Sequence, residues 1–434
     1  MAAEIEPVPR PRRVGRAGKR VEAERALAAL ADGARVFVAG GCGAPTGLCD
    51  VMVEVRDRWS RLELVTEYLL APLPVFDHAG EPFRVSSLQP SPAVDGMRAA
   101  GALANVPSSL RHFARVTAPG APLALDAAIV QVSPPGPEGR FSLGVSVATP
   151  VEMLANAPLV IAAVNPRMPY TFGAAELDRD EIDFLVDVDH PLVELGAGGE
   201  PDETTSAIGR NVAEGIRDGA VLQFGVGAIP GAVLEELGDR RDLAIHGGML
   251  GDTVVGLHAS GALTGARKPI WPGRMTVGAV LGSAPSFDFV DRNPEVLTVP
   301  ASISHGVGWL SQLESFAAIN SAVEVALDGS INAETAGDRV LSGPGGQPDF
   351  LIGAAEAPGG RSFIAMPSTA GGGKRSRIVP RLEAGATVTV ARSLTDWVVT
   401  EFGAVRLTGL SLAQRAEALR SIAHPDHRAA LAGG

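Results

Sequence analysis

Four consecutive residues, His246-Gly247-Gly248-Met249, set an imidazole beside two positions that have no side chain, and Asp252 adds a carboxylate shortly after. An imidazole changes charge close to neutral pH and can act as acid or base, although a histidine beside a buried strand also serves as a structural group. Gly247 and Gly248 offer only backbone, so this stretch suits the close approach of something bulky and supplies no strong nucleophile. A second set of groups is spread over the chain: Glu334, Glu401, the thiols Cys42 and Cys49, and Lys374, Arg375 and Arg377 behind Gly371-Gly372-Gly373. The thiols read as small buried side chains with a nucleophilic alternative, Asp252 as a helix cap or an acid, and the basic loop as a phosphate contact or a solvated loop.

These groups need elements to hold them. Leu243 to His246 reads as the end of a buried strand, the two glycines as a sharp turn, and Thr253 to Ala259 as a helix. Strand ends that open into a glycine turn and a helix are where open α/β sheets place ligands. The same plan occurs twice elsewhere. Asp32-Gly33-Ala34 leads into Val36 to Ala39 and then Gly40-Gly41-Cys42-Gly43-Ala44-Pro45; Asp218-Gly219-Ala220 leads into Val221 to Phe224 and then Gly225-Val226-Gly227-Ala228-Ile229-Pro230. This pattern predicts an internal duplication, each half an open, mostly parallel α/β sheet flanked by helices. The turn at Gly225 and Gly227 would present backbone N–H groups able to hold a phosphate or an oxyanion. It departs from the dinucleotide fingerprint, because Pro230 stands where the third glycine belongs. Further strands are expected at Ala127 to Val132, Leu159 to Val164 and Ala322 to Leu327.

With 434 residues, 46% hydrophobic and 20% charged, the chain can bury two sizeable cores. We expect a basic tail over 1–20, too polar to order itself, a first α/β domain over 21–195 and a second over 202–434, joined by the glycine-rich segment Glu194 to Pro201. The formal charge of −12 argues against a nucleic-acid or anionic-membrane surface. No apolar run reaches the roughly 18 residues of a membrane helix, the N-terminus lacks a signal-peptide core, and two cysteines make neither a disulfide framework nor a four-ligand zinc site. A cytoplasmic protein without a metal is the expectation.

Several ordered motifs carry a more specific message: Val132-Ser133-Pro134-Pro135, Asn165-Pro166-Arg167-Met168-Pro169, Gly225 to Pro230, Thr264-Gly265-Ala266-Arg267-Lys268, Gly343-Pro344-Gly345-Gly346-Gln347-Pro348-Asp349-Phe350, Pro367-Ser368-Thr369-Ala370, Ser376-Arg377-Ile378-Val379-Pro380, Val399-Thr400-Glu401-Phe402-Gly403 and Ala423-His424-Pro425-Asp426. In order and spacing the chain resembles the acetyl-CoA hydrolase/transferase family, which includes 4-hydroxybutyrate CoA-transferases, over nearly everything after the basic tail.

The resemblance implies two similar domains, an acyl-CoA site between them, and transfer through a glutamate that carries CoA as a glutamyl thioester. That glutamate belongs to a His-Thr-Glu-Met segment, and this chain has Gly248 in its place. The family's Met-Pro-Arg-Thr-His-Gly is here Met168-Pro169-Tyr170-Thr171-Phe172-Gly173. The resemblance therefore implies a rebuilt pocket of Tyr170, Phe172, Gly247, Gly248 and Met249, favouring apolar acyl groups. It implies backbone oxyanion donors at Val226 and Gly346, with Gly225, Gly227, Gly345, Gln347, Lys374, Ser376 and Arg377 toward the CoA. Glu334 is the first choice of general base, followed by His246, with Asp252 as a further acid. The substrates would be an acyl-CoA thioester and a small acceptor, handled by direct transfer; hydrolysis by activated water and a non-catalytic CoA-binding subunit are the alternatives. A homo-oligomer is compatible with all three.

Overall fold

Asp32-Gly33-Ala34 and Asp218-Gly219-Ala220 form matching turns in the computed structural model, which describes residues 8–12, 17–196, 200–225 and 227–433. Gly33 has φ +78° and Gly219 φ +76°, a left-handed conformation that glycine alone adopts without strain. The Gly33 N–H donates to the Arg61 carbonyl at 2.8 Å, and the Gly219 N–H donates to the Arg241 carbonyl at 2.8 Å. The aspartates repeat the correspondence: Asp32 accepts from the Arg61 N–H at 3.1 Å and Asp218 from the Arg241 N–H at 3.0 Å. Each turn launches a buried strand, Arg35–Val38 in one case and Val221–Phe224 in the other.

The chain divides into two units, one containing 17–196 with 276–304 and the other containing 200–275 with 305–433. In the first, an all-parallel sheet has the order Lys19–Arg20, Phe184–Asp187, Val160–Val164, Ala127–Val132, Arg35–Val38, Leu62–Thr66, Phe83–Ser87, Leu103–Asn105. Its central strands are apolar on both faces, as parallel strands covered by helices must be. The core beneath one face is built from Val36, Val38, Leu64, Ile129 and Ile161, and beneath the other from Phe37, Val65, Val130, Ala162 and Leu185. Segment 276–304 is stitched into this unit: Val296–Thr298 pairs in parallel with Phe172–Gly173, and the Val147 and Ala148 N–H groups donate to the Gly278 carbonyl. A contiguous second domain over 202–434 was the expectation, whereas 276–304 packs with the first half.

Parts of the basic tail are tied down in the same unit. Arg10 pairs with Glu181 at 2.6 Å, Arg20 pairs with Asp187 at 2.8 Å, and Lys19–Arg20 extends the sheet. Other basic tail residues, Arg13 and Arg16 among them, lie outside the described residues.

In the second unit the strands run Gly403–Arg406, Trp397–Thr400, Arg361–Ala365, Phe316–Asn320, Val221–Phe224, Ala244–Leu250, all parallel except the 397–406 hairpin. Two expectations are corrected here. The strand Ala244–Leu250 continues through Gly247 and Gly248, so the glycine pair makes no turn; Gly251, still extended, is the N-cap of the helix Asp252–Ala259 that follows. Phe316–Asn320 is a sheet strand that the sequence reading missed, and the expected strand at Ala322 to Leu327 shrinks to Glu324–Ala326 in a small separate sheet. No helix among the described residues is long and apolar enough to cross a membrane.

Candidate active site

The ends of three neighbouring parallel strands in the second unit, Phe316–Asn320, Val221–Phe224 and Ala244–Leu250, bring a small set of groups together. Asn320 Nδ2 donates to Gln223 Oε1 at 3.0 Å, linking the first two strands. Gln223 in turn faces Gly247, where an added Cβ would lie 3.0 Å from Gln223 Cγ. Absence of a side chain at Gly247 is thus what lets Gln223 lie across the third strand. Gly225 follows the strand end, and its N–H donates to the Ile319 carbonyl at 3.1 Å. Gly227, with φ +129°, opens the helix Ala228–Glu235. Val226, expected to offer an oxyanion donor, lies outside the described residues.

Gly248 and Gly346 meet at one side chain that the sequence reading did not single out, His305. A Cβ at Gly248 would stand 3.1 Å from His305 Nε2 and 3.2 Å from its Cε1; a Cβ at Gly346 would overlap the same ring. Phe350 closes the group, its ring centroid 4.5 Å from that of His305. Both side chains are 3% exposed. Burial pushes the imidazole down to about 3, so His305 is neutral throughout the physiological range. Paired glycines with no turn to make were the available signal, since a missing Cβ inside a strand marks close approach by a neighbour.

Gly346 is the N-cap of the helix Gln347–Glu356, preceded by Gly345 at φ +55°. Gln347 donates from Nε2 to the Ser321 carbonyl at 3.1 Å, fixing the helix start to the loop after Asn320. Glu334 anchors the other end of this glycine segment through its backbone carbonyl, which accepts from the Leu341 and Ser342 N–H groups. Its carboxyl is largely buried, and burial raises its pKa above the ordinary glutamate value, against a weaker lowering by a hydrogen bond with Thr389. A raised carboxyl pKa favours general-base work near neutrality.

His246 is placed differently from an accessible acid or base. Its ring is 0% exposed inside the strand and stacks on Trp271 at 6.3 Å and 16°, with Trp309 stacked beyond at 5.3 Å from Trp271. No reacting group reaches it while that stack is closed. Lys268 braces the same strand, donating from Nζ to the Ile245 carbonyl at 3.0 Å and the Arg274 carbonyl at 2.8 Å. Asp252 is the first residue of its helix, not the cap, which is Gly251; there its charge complements the helix dipole. Met249 is half-buried on the strand.

Arg375, Ser376 and Arg377 line a cavity of about 540 Å³ together with Glu324, Glu383 and His427. Arg377 donates from Nη1 to the Ala322 carbonyl at 3.3 Å, while its buried Nε has no hydrogen-bond partner among the described residues. Lys374 is exposed beside them. Glu401 has a structural task, accepting from the Ser368 N–H at 2.8 Å and from the Ser368 hydroxyl at 2.6 Å. In the first unit, Tyr170 is 1% exposed; its hydroxyl donates to Glu176 at 2.9 Å and its ring packs over Gly136. Phe172, half-buried, meets it edge-on at 5.6 Å. Cys42 and Cys49 are both buried, and burial pushes Cys49 up to about 12, which removes the thiolate a nucleophile needs. No group of three His, Cys, Asp or Glu residues suited to a metal occurs among the described residues.

Two family models match, the acetyl-CoA hydrolase/transferase N-terminal domain over 14–193 and the C-terminal domain over 282–433. The chain is 37% identical over 421 residues to 4-hydroxybutyrate coenzyme A transferase of Clostridium kluyveri, covering 95% of this chain and 96% of that one. Among solved structures it is similar to RipA from Yersinia pestis, with TM-score 0.88 and 29% identity over 95% of this chain and 96% of RipA. It is also similar to 4-hydroxybutyrate CoA-transferase from Porphyromonas gingivalis, with TM-score 0.80 and 31% identity over the same shares.

Proposed function

We infer the function from one premise: the chain belongs to the acetyl-CoA hydrolase/transferase family. We propose that it binds an acyl-CoA thioester and passes the acyl group directly to a second bound acceptor, without a glutamyl-CoA intermediate. The observation that carries this reading is Gly248, at the position where the resemblance puts the glutamate, with the His305 ring filling the room a side chain there would need. A covalent intermediate requires a carboxylate held in near-attack geometry, and a glycine beside a neutral imidazole provides none. The Gly346 N–H serves as oxyanion donor in this reading, a contribution of about 3 kcal/mol where such donors are preorganised.

The phosphates of CoA are assigned to the cavity at Arg375, Ser376 and Arg377, with Lys374 at its rim. A phosphate oxygen would supply the partner that Arg377 Nε lacks. Hydrolysis is the second reading, supported by Glu334, whose raised pKa suits activation of water.

Thiol release from a series of acyl-CoAs, with and without acceptors, separates the readings when combined with intact mass. Acceptor-dependent release at unchanged protein mass is the expected result. Release from acyl-CoA alone, abolished by Glu334→Gln, would favour hydrolysis, and a stoichiometric CoA adduct would overturn the proposal. Gly248→Glu by itself is expected to form no adduct, because its Cβ already presses on His305; Gly248→Glu with His305→Ala is the variant expected to acquire one.

A further inference from the structure

The cavity to which the proposed function sends the CoA phosphates is not built for phosphates alone. Its volume of about 540 Å³ is that of a site for a small organic ligand. Arg375 and Arg377 are matched there by two carboxylates, Glu324 and Glu383, so a ligand presenting only anionic groups would meet repulsion as well as attraction. Val323, Leu341, Val379 and Leu431 add apolar wall, which a phosphate cannot use and a flat heterocycle can.

Glu324 and Arg377 stand level with each other on neighbouring strands. Glu324–Ala326 pairs in parallel with Ile378–Val379, with Val325 opposite Ile378, and the Val325 N–H donates to the Arg377 carbonyl at 2.8 Å. Each charged residue precedes that pair by one position, yet their charged ends turn to different partners. Arg377 Nη1 donates to the Ala322 carbonyl, whereas Glu324 Oε1 accepts from Asn332 Nδ2 at 3.2 Å and from the Glu383 N–H at 3.4 Å. Glu324 is 8% exposed, and its other oxygen, Oε2, has no donor among the described residues. A carboxylate held this deep beside a cavity, with one oxygen left over, calls for a donor on the ligand.

We propose that Glu324 Oε2 accepts a hydrogen bond from the exocyclic amino group of the adenine of CoA, so that the cavity reads the whole nucleotide and not its phosphates alone. The inference rests on the placement of the CoA phosphates given above. The amino group is the one donor at that end of CoA carried by a flat ring, and a ring is what the apolar wall beside Glu324 accommodates. The donor is thereby restricted to CoA thioesters, in distinction from thioesters of phosphopantetheine on a carrier protein. Phosphopantetheine ends in a single phosphate and leaves both Glu324 and the wall unused.

Calorimetric Kd values on the full chain provide the test, with CoA, deamino-CoA (hypoxanthine in place of adenine), ADP and phosphopantetheine as probes. Wild type should bind CoA about tenfold more tightly than deamino-CoA, whose ring carbonyl would face the carboxylate. Phosphopantetheine should bind more weakly still, and ADP should displace CoA. Glu324→Gln sets an amide NH2 where Oε2 stood and should reverse the preference, favouring deamino-CoA; retained affinity for deamino-CoA also shows that the variant is folded. Arg375→Met, at an exposed position, should weaken CoA and deamino-CoA alike, by about fivefold. Equal binding of the two by wild type, with Arg375→Met still weakening both, would overturn the adenine contact and spare the placement of the phosphates. A preference for CoA that survives Glu324→Gln unchanged would do the same, as would phosphopantetheine binding as tightly as CoA. Should Glu324→Gln bind neither probe, the wild-type preference decides alone. Unchanged CoA affinity in Arg375→Met, or ADP that fails to displace CoA, would overturn the placement of CoA in this cavity and this inference with it.

Discussion

Gly346→Ala should be among the most damaging single-methyl additions in the second unit, and the reason can be isolated. Gly346 has φ −97° and ψ −5°, a conformation open to any residue, so backbone strain contributes nothing. The methyl would overlap the His305 ring and reach 2.8 Å from Phe350 Cε2. Overpacking of this kind costs about 1–3 kcal/mol, and replacing glycine by alanine at an N-cap adds up to about 1 kcal/mol. A loss of about 3 kcal/mol should lower the melting temperature of a unit of this size by roughly 6–12 °C. His305→Ala alone empties part of the slot and should cost about 2 kcal/mol. In the double variant the methyl added at Gly346 moves into that vacated space, so the total should stay near 3 kcal/mol, well short of the additive value, a coupling of about 2 kcal/mol. Scanning calorimetry on the full chain provides the four numbers. Gly256→Ala is the control, because an added Cβ there meets nothing within 4 Å and a helix interior gains from alanine. Strict additivity of the Gly346 and His305 substitutions, or a loss under about 1 kcal/mol for Gly346→Ala, would refute the packing described for this slot.

Two further outcomes follow from buried groups. Burial lowers Lys268 from 10.5 to about 7; between those values the unfolded chain holds a proton that the folded chain lacks, so stability rises with pH across that window. Lys268→Met should flatten this rise while lowering stability overall, through loss of the donor to the Ile245 and Arg274 carbonyls; denaturation curves from about pH 7 to about pH 10 that keep the wild-type slope would contradict it. Cys49, buried with its thiol held at about 12, should resist iodoacetamide in the native protein and react after denaturation. Stoichiometric labelling of Cys49 in the folded state at neutral pH would show that its surroundings are open.

Physical signals of unequal range explain what the sequence revealed. Ala127–Val132 has the bounds expected of it because a mostly apolar run, interrupted only by Gln131, is followed by Ser133 and the breakers Pro134 and Pro135. The Asp-Gly-Ala turns were legible as a repeated pattern, since a left-handed position admits glycine and little else. Phe316–Asn320 was passed over because a second apolar run follows immediately, and periodicity cannot say which of two short buried runs joins the main sheet. The reading of Gly247 and Gly248 as a turn went wrong for a related reason: glycine marks both sharp bends and crowded straight strands, and only the neighbours decide. His305 was out of reach because the residues that give it meaning, Gly248, Gly346 and Phe350, lie far from it along the chain.

The excursion of 276–304 into the other unit imposes an order on biosynthesis. When residue 196 leaves the ribosome, Phe172–Gly173 still lacks the parallel partner Val296–Thr298, and Val147 and Ala148 still lack the Gly278 carbonyl. The first half must wait, incomplete along that edge, while the chain through residue 275 is made. Residues 305–433 come later still, and with them Phe316–Asn320, the strand beside Val221–Phe224. Neither unit can therefore be obtained as an uninterrupted fragment by cutting the gene at the glycine-rich linker. A piece ending there would expose the unpaired Phe172–Gly173 edge, and a piece beginning there would carry Val296–Thr298 without the Phe172–Gly173 strand it pairs with.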